Sequence, residues 1–313
     1  MQTSMLKLIA AVLIAAAYPL AYAASLGELA DDYKKVMAEG RTTHMVEIDN
    51  DTLLLNHQDG FYTSGLRYAY TRSLVRNDAM TIFGWRIGQE LYTPADIKQA
   101  PEFIGPPDHP YAGWLYGGMF REVHRTDGMH ARLGIDIGCL GPCAGGEWTQ
   151  TKFHQVINQP LPKGWSKQVK NEAGVVLYGD YAPTRWVPQQ DFDVTPYVHG
   201  RFGNIFTDAG AGVTIRAGQL NLLPMQPAFY GYLRLDGRAV GYNATLQGGY
   251  FSENNPHTVD PKRAVGEAEV GVVWNRNSYG AKLALVRRSN EIQDLPDSMG
   301  AQTFVHLRFF YSP

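Results

Sequence analysis

Four side chains in this 313-residue sequence have types and spacings that could support hydrolytic chemistry. Asn50 and Asp51 are adjacent, Thr63 follows twelve residues later, and His154 lies far downstream in a stretch punctuated by Gly and Pro. The oxygens of Asn50, Asp51 and Thr63 suit a hard cation, calcium above all. A neutral imidazole beside water is a natural general base. Each feature also has a plain structural reading. Asn and Asp commonly start loops, and a lone loop histidine is commonly a surface residue. The choice depends on whether the fold brings these residues to one place.

The segment that opens the chain sets its compartment. Residues 1–23 carry Lys7, an apolar run over 8–17, and Ala21-Tyr22-Ala23 as the small residues before a cleavage point, which is the pattern of a secretory signal peptide. Export to an oxidising compartment makes a small disulfide between Cys139 and Cys143 the favoured reading of Cys-Leu-Gly-Pro-Cys. Two sulfurs alone do not make a zinc site. The formal charge of −2 gives no support to nucleic-acid binding. Hydrophobic residues at 44% exclude disorder, whereas charged residues at 19% are scarce for a soluble domain. Beyond the N-terminus no run approaches the roughly 18 apolar residues of a spanning helix.

Residues 24–41 read as a short N-terminal periplasmic segment with helical spacing, and 42–313 as a barrel of alternating strands. Tyr62, Ser64, Leu66, Tyr68 and Tyr70 share one face, with Arg67 on the other. Phe83, Trp85 and Ile87 oppose Arg86, and Val270, Val272 and Trp274 oppose Glu267 and Glu269. Leu283 and Leu285 oppose Lys282, and Leu307 and Phe309 oppose His306 and Arg308. Runs of about ten residues or more with this alternation mark a transmembrane β-barrel, apolar outside and polar within. A soluble sandwich would prefer strands of about 5–6 residues.

Twelve strands are predicted, over 44–50, 62–75, 80–92, 112–125, 128–140, 173–183, 191–203, 206–219, 227–240, 264–275, 277–289 and 301–311. The ninth is the least defined, because 238–249 reads as loop or as further strand. Short turns at one end and long loops at the other give the barrel its sidedness, long loops outward. Asn50, Asp51 and Thr63 then share the outer rim. Strict alternation separates Asn50 from Asp51, so both can serve one site only if a strand ends or bulges there. His154 falls in a short helix expected from Trp148 to Asn158 within the long loop 141–171. The sequence has no Gly-x-Ser-x-Gly elbow and no His-x-Ser pair to support a serine nucleophile.

Several blocks together resemble the outer-membrane lipid A 3′-O-deacylase family. They are Asn50-Asp51, Asp59-Gly60-Phe61-Tyr62-Thr63-Ser64-Gly65, Gly88-Gln89-Glu90-Leu91-Tyr92-Thr93-Pro94 and Asp108-His109-Pro110-Tyr111-Ala112-Gly113. Asp136-Ile137-Gly138, Gly141-Pro142, Ala144-Gly145-Gly146, His154 and Trp165 continue the match. The resemblance implies a twelve-stranded outer-membrane barrel that removes the 3′-linked acyl chain of lipid A, the lipid anchor of lipopolysaccharide. It implies calcium assistance, active-site positions at Asn50, Asp51 and Thr63, and His154 as general base. Two positions depart from the family pattern. The family Lys that would hold a substrate phosphate is replaced by about Gln99, with Lys98 beside it. The acid six residues after the histidine is replaced by Pro160. A passive porin or structural barrel would need neither His154 nor calcium. An outer-membrane lipase or phospholipase acting on another ester is the further alternative. His57 and His109 are the next candidates for the base.

Overall fold

The computed structural model describes residues 26–51, 60–276 and 278–313. The signal-peptide reading and His57 lie outside these residues. None of the described helices is long and apolar enough to cross a membrane; the crossing is made by strands.

Thirteen antiparallel strands form one sheet. They are β1 (Arg41–Asn50), β2 (Phe61–Arg76), β3 (Ala79–Thr93), β4 (Ala112–Arg125), β5 (His130–Leu140), β6 (Glu172–Ala182), β7 (Trp186–Gln189), β8 (Phe192–Gly203), β9 (Phe206–Gln219), β10 (Ala228–Asn243), β11 (Ala264–Arg276), β12 (Tyr279–Arg288) and β13 (Gln302–Tyr311). β1 pairs with β13, and β6 pairs with β8, so twelve strands close into a barrel. The thirteenth, β7, is a four-residue ribbon on the end of β8 that the alternation did not predict. Four residues containing Pro188 are too few to show a period. The uncertain strand, β10, continues to Asn243 and ends in a one-turn helix, Ala244–Gln247.

The outward face is an apolar belt that includes exposed Leu66, Tyr68, Trp85, Ile87, Val270, Leu285 and Phe309. The inward face is a lattice of ion pairs. Arg67 is its densest node, with Nε 3.1 Å from Glu47, Nη2 2.5 Å from Asp49 and Nη1 3.7 Å from Glu90. Arg86 pairs with Asp136, Arg132 with Glu122, Lys282 with Glu269 and Arg288 with Glu267. Inward glycines make room for rings. A Cβ on Gly84 would lie 2.3 Å from the Phe120 ring carbon Cζ, so only a hydrogen lets that ring lie against the wall.

One expected placement is corrected. Tyr62 does not share the outward face of Leu66 and Tyr68. The pairing of β2 with β3 slips between Tyr62 and Ser64, which leaves Thr63 as the extra residue of a bulge. The slip turns Tyr62 inward, where its hydroxyl donates to Asp49 at 2.7 Å.

Turns and segments close the inner end. The Leu223 side chain, from the β9–β10 connection, is buried with Met80, Ile82, Phe120 and Tyr178. Arg185 holds this connection by donating to the carbonyls of Asn221 and Leu222. Helix α1 (Leu26–Glu39) lies against β2 and β3, with Asp32 3.0 Å from Arg121 and Tyr33 edge-on to Phe83.

Replacing Arg67 with Met would strip three carboxylates of their shared cation while roughly keeping the volume. The expected loss is about 3–5 kcal/mol of barrel stability, the cost of uncompensated buried charge, read from urea unfolding of the refolded protein. A stability within 1 kcal/mol of wild type, a bound of about one surface-level substitution, would show that the lumen hydrates freely and the lattice contributes little.

Candidate active site at the outer rim

The rim site is built on the bulge. β1 ends at Asn50, which faces Ser64 of β2 and Val305 of β13. Asn50, Asp51 and Thr63 are all buried. β1 ends at Asn50 and the bulge falls at Thr63, so strict alternation holds at neither end of this set. Asp51 Oδ2 accepts the Gly60 amide at 3.0 Å, so the carboxylate anchors the chain re-entering β2. The Thr63 hydroxyl lies 2.7 Å from the Thr93 hydroxyl at the end of β3. The set is all oxygen and carries one formal charge on Asp51, which is donor chemistry a calcium ion accepts.

The outward side chains at the end of β3 carry the loops. Gln89 donates to the carbonyl of Ala144 at 2.6 Å, and Leu91 packs with Ile104, Tyr111 and Trp165. Thr93, next on that face, meets Thr63. The block Gly88 to Pro94 thus faces both ways, because Glu90 and Tyr92 point inward and bond one another at 2.9 Å.

Above this face sits helix α2 (Gly146–Ile157), slightly longer at its start than predicted. Cys139 and Cys143 are joined as a disulfide, as the sequence favoured. The bridge ties the end of β5 to the turn Pro142–Ala144 that launches the helix. The helix buries Gly146, Gln150 and His154, spaced four apart on one stripe. A Cβ at Gly146 would lie 2.6 Å from the Trp165 ring, so glycine lets the helix close onto that core. Trp165 Nε1 donates to Gln150 Oε1 at 2.8 Å. The two long loops also join through their backbones, Lys163 N–H to Ile97 C=O and Val169 N–H to Tyr111 C=O, each at 2.9 Å.

His154 is 4% exposed, so it is not the surface residue of the plain reading. Asn158 adopts a left-handed conformation at φ 55° and ends the helix. The chain doubles back, and the Pro160 carbonyl comes 2.6 Å from His154 Nδ1. A carbonyl only accepts, so Nδ1 carries the proton and, in the neutral ring, Nε2 is the basic nitrogen. The partner of Nδ1 is thus the backbone of position 160 and not its side chain. The sequence showed Pro160 as a lost side chain and gave no view of its carbonyl.

His109 has similar local bonding and a different setting. Its Nδ1 lies 2.6 Å from the Pro110 carbonyl, and its ring stacks on Tyr92 at 5.5 Å. Burial pushes its pKa down to about 4, so it stays neutral as a packed part of the rim. Lys98 is exposed on the 94–111 loop, with its amide on Asp96 Oδ1 at 2.9 Å. Thr93 and Gln150 were not singled out in the sequence. Thr93 stood in a recognised block, and its parity with Leu91 was the available signal.

Comparison with known proteins agrees with this architecture. A family model described as "Outer membrane protein LpxR" matches residues 8–312. The solved structure of LpxR from Salmonella typhimurium is similar, with a TM-score of 0.72 at 23% identity, covering 86% of this chain and 99% of that one. The β domain of the Bordetella autotransporter BrkA is a weaker likeness, with a TM-score of 0.48 at 10% identity over 87% of this chain and 98% of that one. None of the curated proteins compared matches the chain. The barrel is an outer-membrane protein, and the chain belongs to the LpxR family.

Proposed function

We propose that this barrel is a carboxylic ester hydrolase of the outer membrane that removes the 3′-linked acyl chain of lipid A. The observation that carries the reading is His154, buried on the stripe of α2 with its tautomer set by the Pro160 carbonyl.

In this reading His154 Nε2 takes a proton from water, and the water oxygen attacks the ester carbonyl. The same nitrogen returns the proton to the departing 3′-oxygen, which leaves as a hydroxyl, and the acyl chain leaves as a fatty acid. Asn50, Asp51 and Thr63 would hold a calcium ion, which would supply positive charge to offset the developing oxyanion. The Asp51–Gly60 bond fixes the carboxylate in that set, and the Thr63–Thr93 bond fixes the hydroxyl. Lys98, exposed on the neighbouring loop, would contact a substrate phosphate. The apolar belt, which sets the rim beside the lipid surface, supports lipid A as the substrate within reach.

The direct test is mass spectrometry of lipid A from cells with and without the protein. Loss of one 3′-linked acyl chain is expected only with it, and unchanged lipid A would remove the assignment. His154→Gln keeps polarity and approximate size but cannot hold the transferred proton. It should lower the deacylation rate by about 10²–10⁴-fold with heat-modifiable gel mobility retained. A wild-type rate near neutral pH would exclude His154 as the base.

Chelator should abolish deacylation, and added calcium should restore it. Asp51→Ala should be the most damaging rim substitution, because it removes the one formal charge and the anchor on Gly60. Asp51→Asn separates these two roles, since it keeps an acceptor for the amide. If Asp51→Asn in excess chelator still worked at the wild-type rate, the oxygen cluster would be a structural rim only.

A further inference from the structure

A second cluster of ligating side chains lies at the opposite end of the lumen, beside the short β4–β5 turn. Glu122 and His124 are two apart on the inward face of β4, and His130 opens β5 directly across from His124. One oxygen of Glu122 and one nitrogen from each imidazole all lie within 4.8 Å of one another. His124 Nε2 is 3.0 Å from Glu122 Oε2. The two rings stack, with centroids 4.2 Å apart.

The groups around the cluster hold these side chains by their other atoms. Arg132 Nε is 3.1 Å from Glu122 Oε1, which leaves Oε2 facing the imidazoles. His130 Nδ1 is 3.1 Å from Asp180 Oδ1 on β6. His130 Nε2, on the far side of the ring, is buried and has no hydrogen-bond partner. A buried imidazole nitrogen without a partner is unfavourable, and a bound ion would satisfy it. A carboxylate on the other nitrogen is the usual support of a metal-bound histidine.

We propose that Glu122, His124 and His130 bind a divalent transition metal of the zinc class at the periplasmic end of the lumen. Two imidazoles and one carboxylate suit such an ion and suit calcium poorly. Two ligand atoms on one zinc stand about 3.3 Å apart at a tetrahedral angle, given bonds of about 2.0–2.1 Å. The Glu122–His124 pair, at 3.0 Å, is already near that spacing, and the ligand atom of His130 lies within 4.8 Å of both. A cavity of about 440 Å³, which His124 and His130 line, leaves room for water as a fourth ligand. The bound ion would fasten β4 to β5 where the strands leave the membrane, and Asp180 would extend the tie to β6. It is separate from the oxygen set at the outer rim in both place and chemistry.

The test uses the untagged full-length protein in detergent, stripped of metal and titrated calorimetrically with zinc chloride. One site per chain is expected, and excess calcium should not displace it. His124→Ala and His130→Ala should each abolish it, His154→Ala should keep it, and Asp180→Asn should weaken it by about 10–100-fold. Cobalt(II) in place of zinc should give visible d–d bands from imidazole coordination, a readout on the wild-type protein that requires no variant to fold. Absence of those bands, or undiminished zinc uptake by the His124→Ala/His130→Ala double variant, would overturn the proposal.

Discussion

The whole structure follows from one constraint: hydrocarbon offers nothing for a backbone amide to bond. An unsatisfied N–H or C=O there costs several kcal/mol, so the strands can cross only as a closed ring. The pairings of β1 with β13 and β6 with β8 complete it. Closure gives every strand two faces with opposite solvents. The outward face takes Leu66, Trp85 and Phe309, and the inward face takes Arg67, Glu47 and Asp49. Where that alternation must be broken, the backbone has to change register.

The break comes at Thr63, and the candidate site lies there. A bulge costs ladder pairing but re-aims the residues beside it. Here it turns Tyr62 into the lumen and leaves Thr63 beside Thr93. The lumen itself is crossed by paired side chains, and the Leu223 connection packs against the wall at its inner end. The proposed chemistry is accordingly assigned to the rim, on the wall of the barrel.

Much of the fold could be read in the sequence, because alternation is imposed by the two solvents. Leu283 and Leu285 against Lys282 left little choice of face. The disulfide was legible because Cys139 and Cys143 flank a Gly-Pro turn. β7 was not, because four residues carry no period. The site was partly legible. Asn50, Asp51 and Thr63 stood out by type, and the parity of Asn50 and Asp51 required the strand to end or bulge there; it ends at Asn50, whereas the bulge at Thr63 had no signal in the sequence. The loops were the least readable part, since Gln150 meets Trp165 and Lys163 meets Ile97 through contacts that no local pattern encodes. Glu122, His124 and His130 also looked ordinary in the chain, because their meeting depends on the register of β4 against β5.

The bond from His154 to Pro160 has a consequence for how such proteins diverge. Every amino acid brings a carbonyl, so position 160 can change identity without disturbing the histidine, provided the chain keeps its path. What must be inherited is the reversal after α2, and Asn158, held in the left-handed region, is the residue that makes it. Mutational tolerance should therefore be high at the acceptor and low two residues earlier. An orienting partner that has left the side-chain alphabet can persist through substitutions that erase every trace of it from a comparison of sequences.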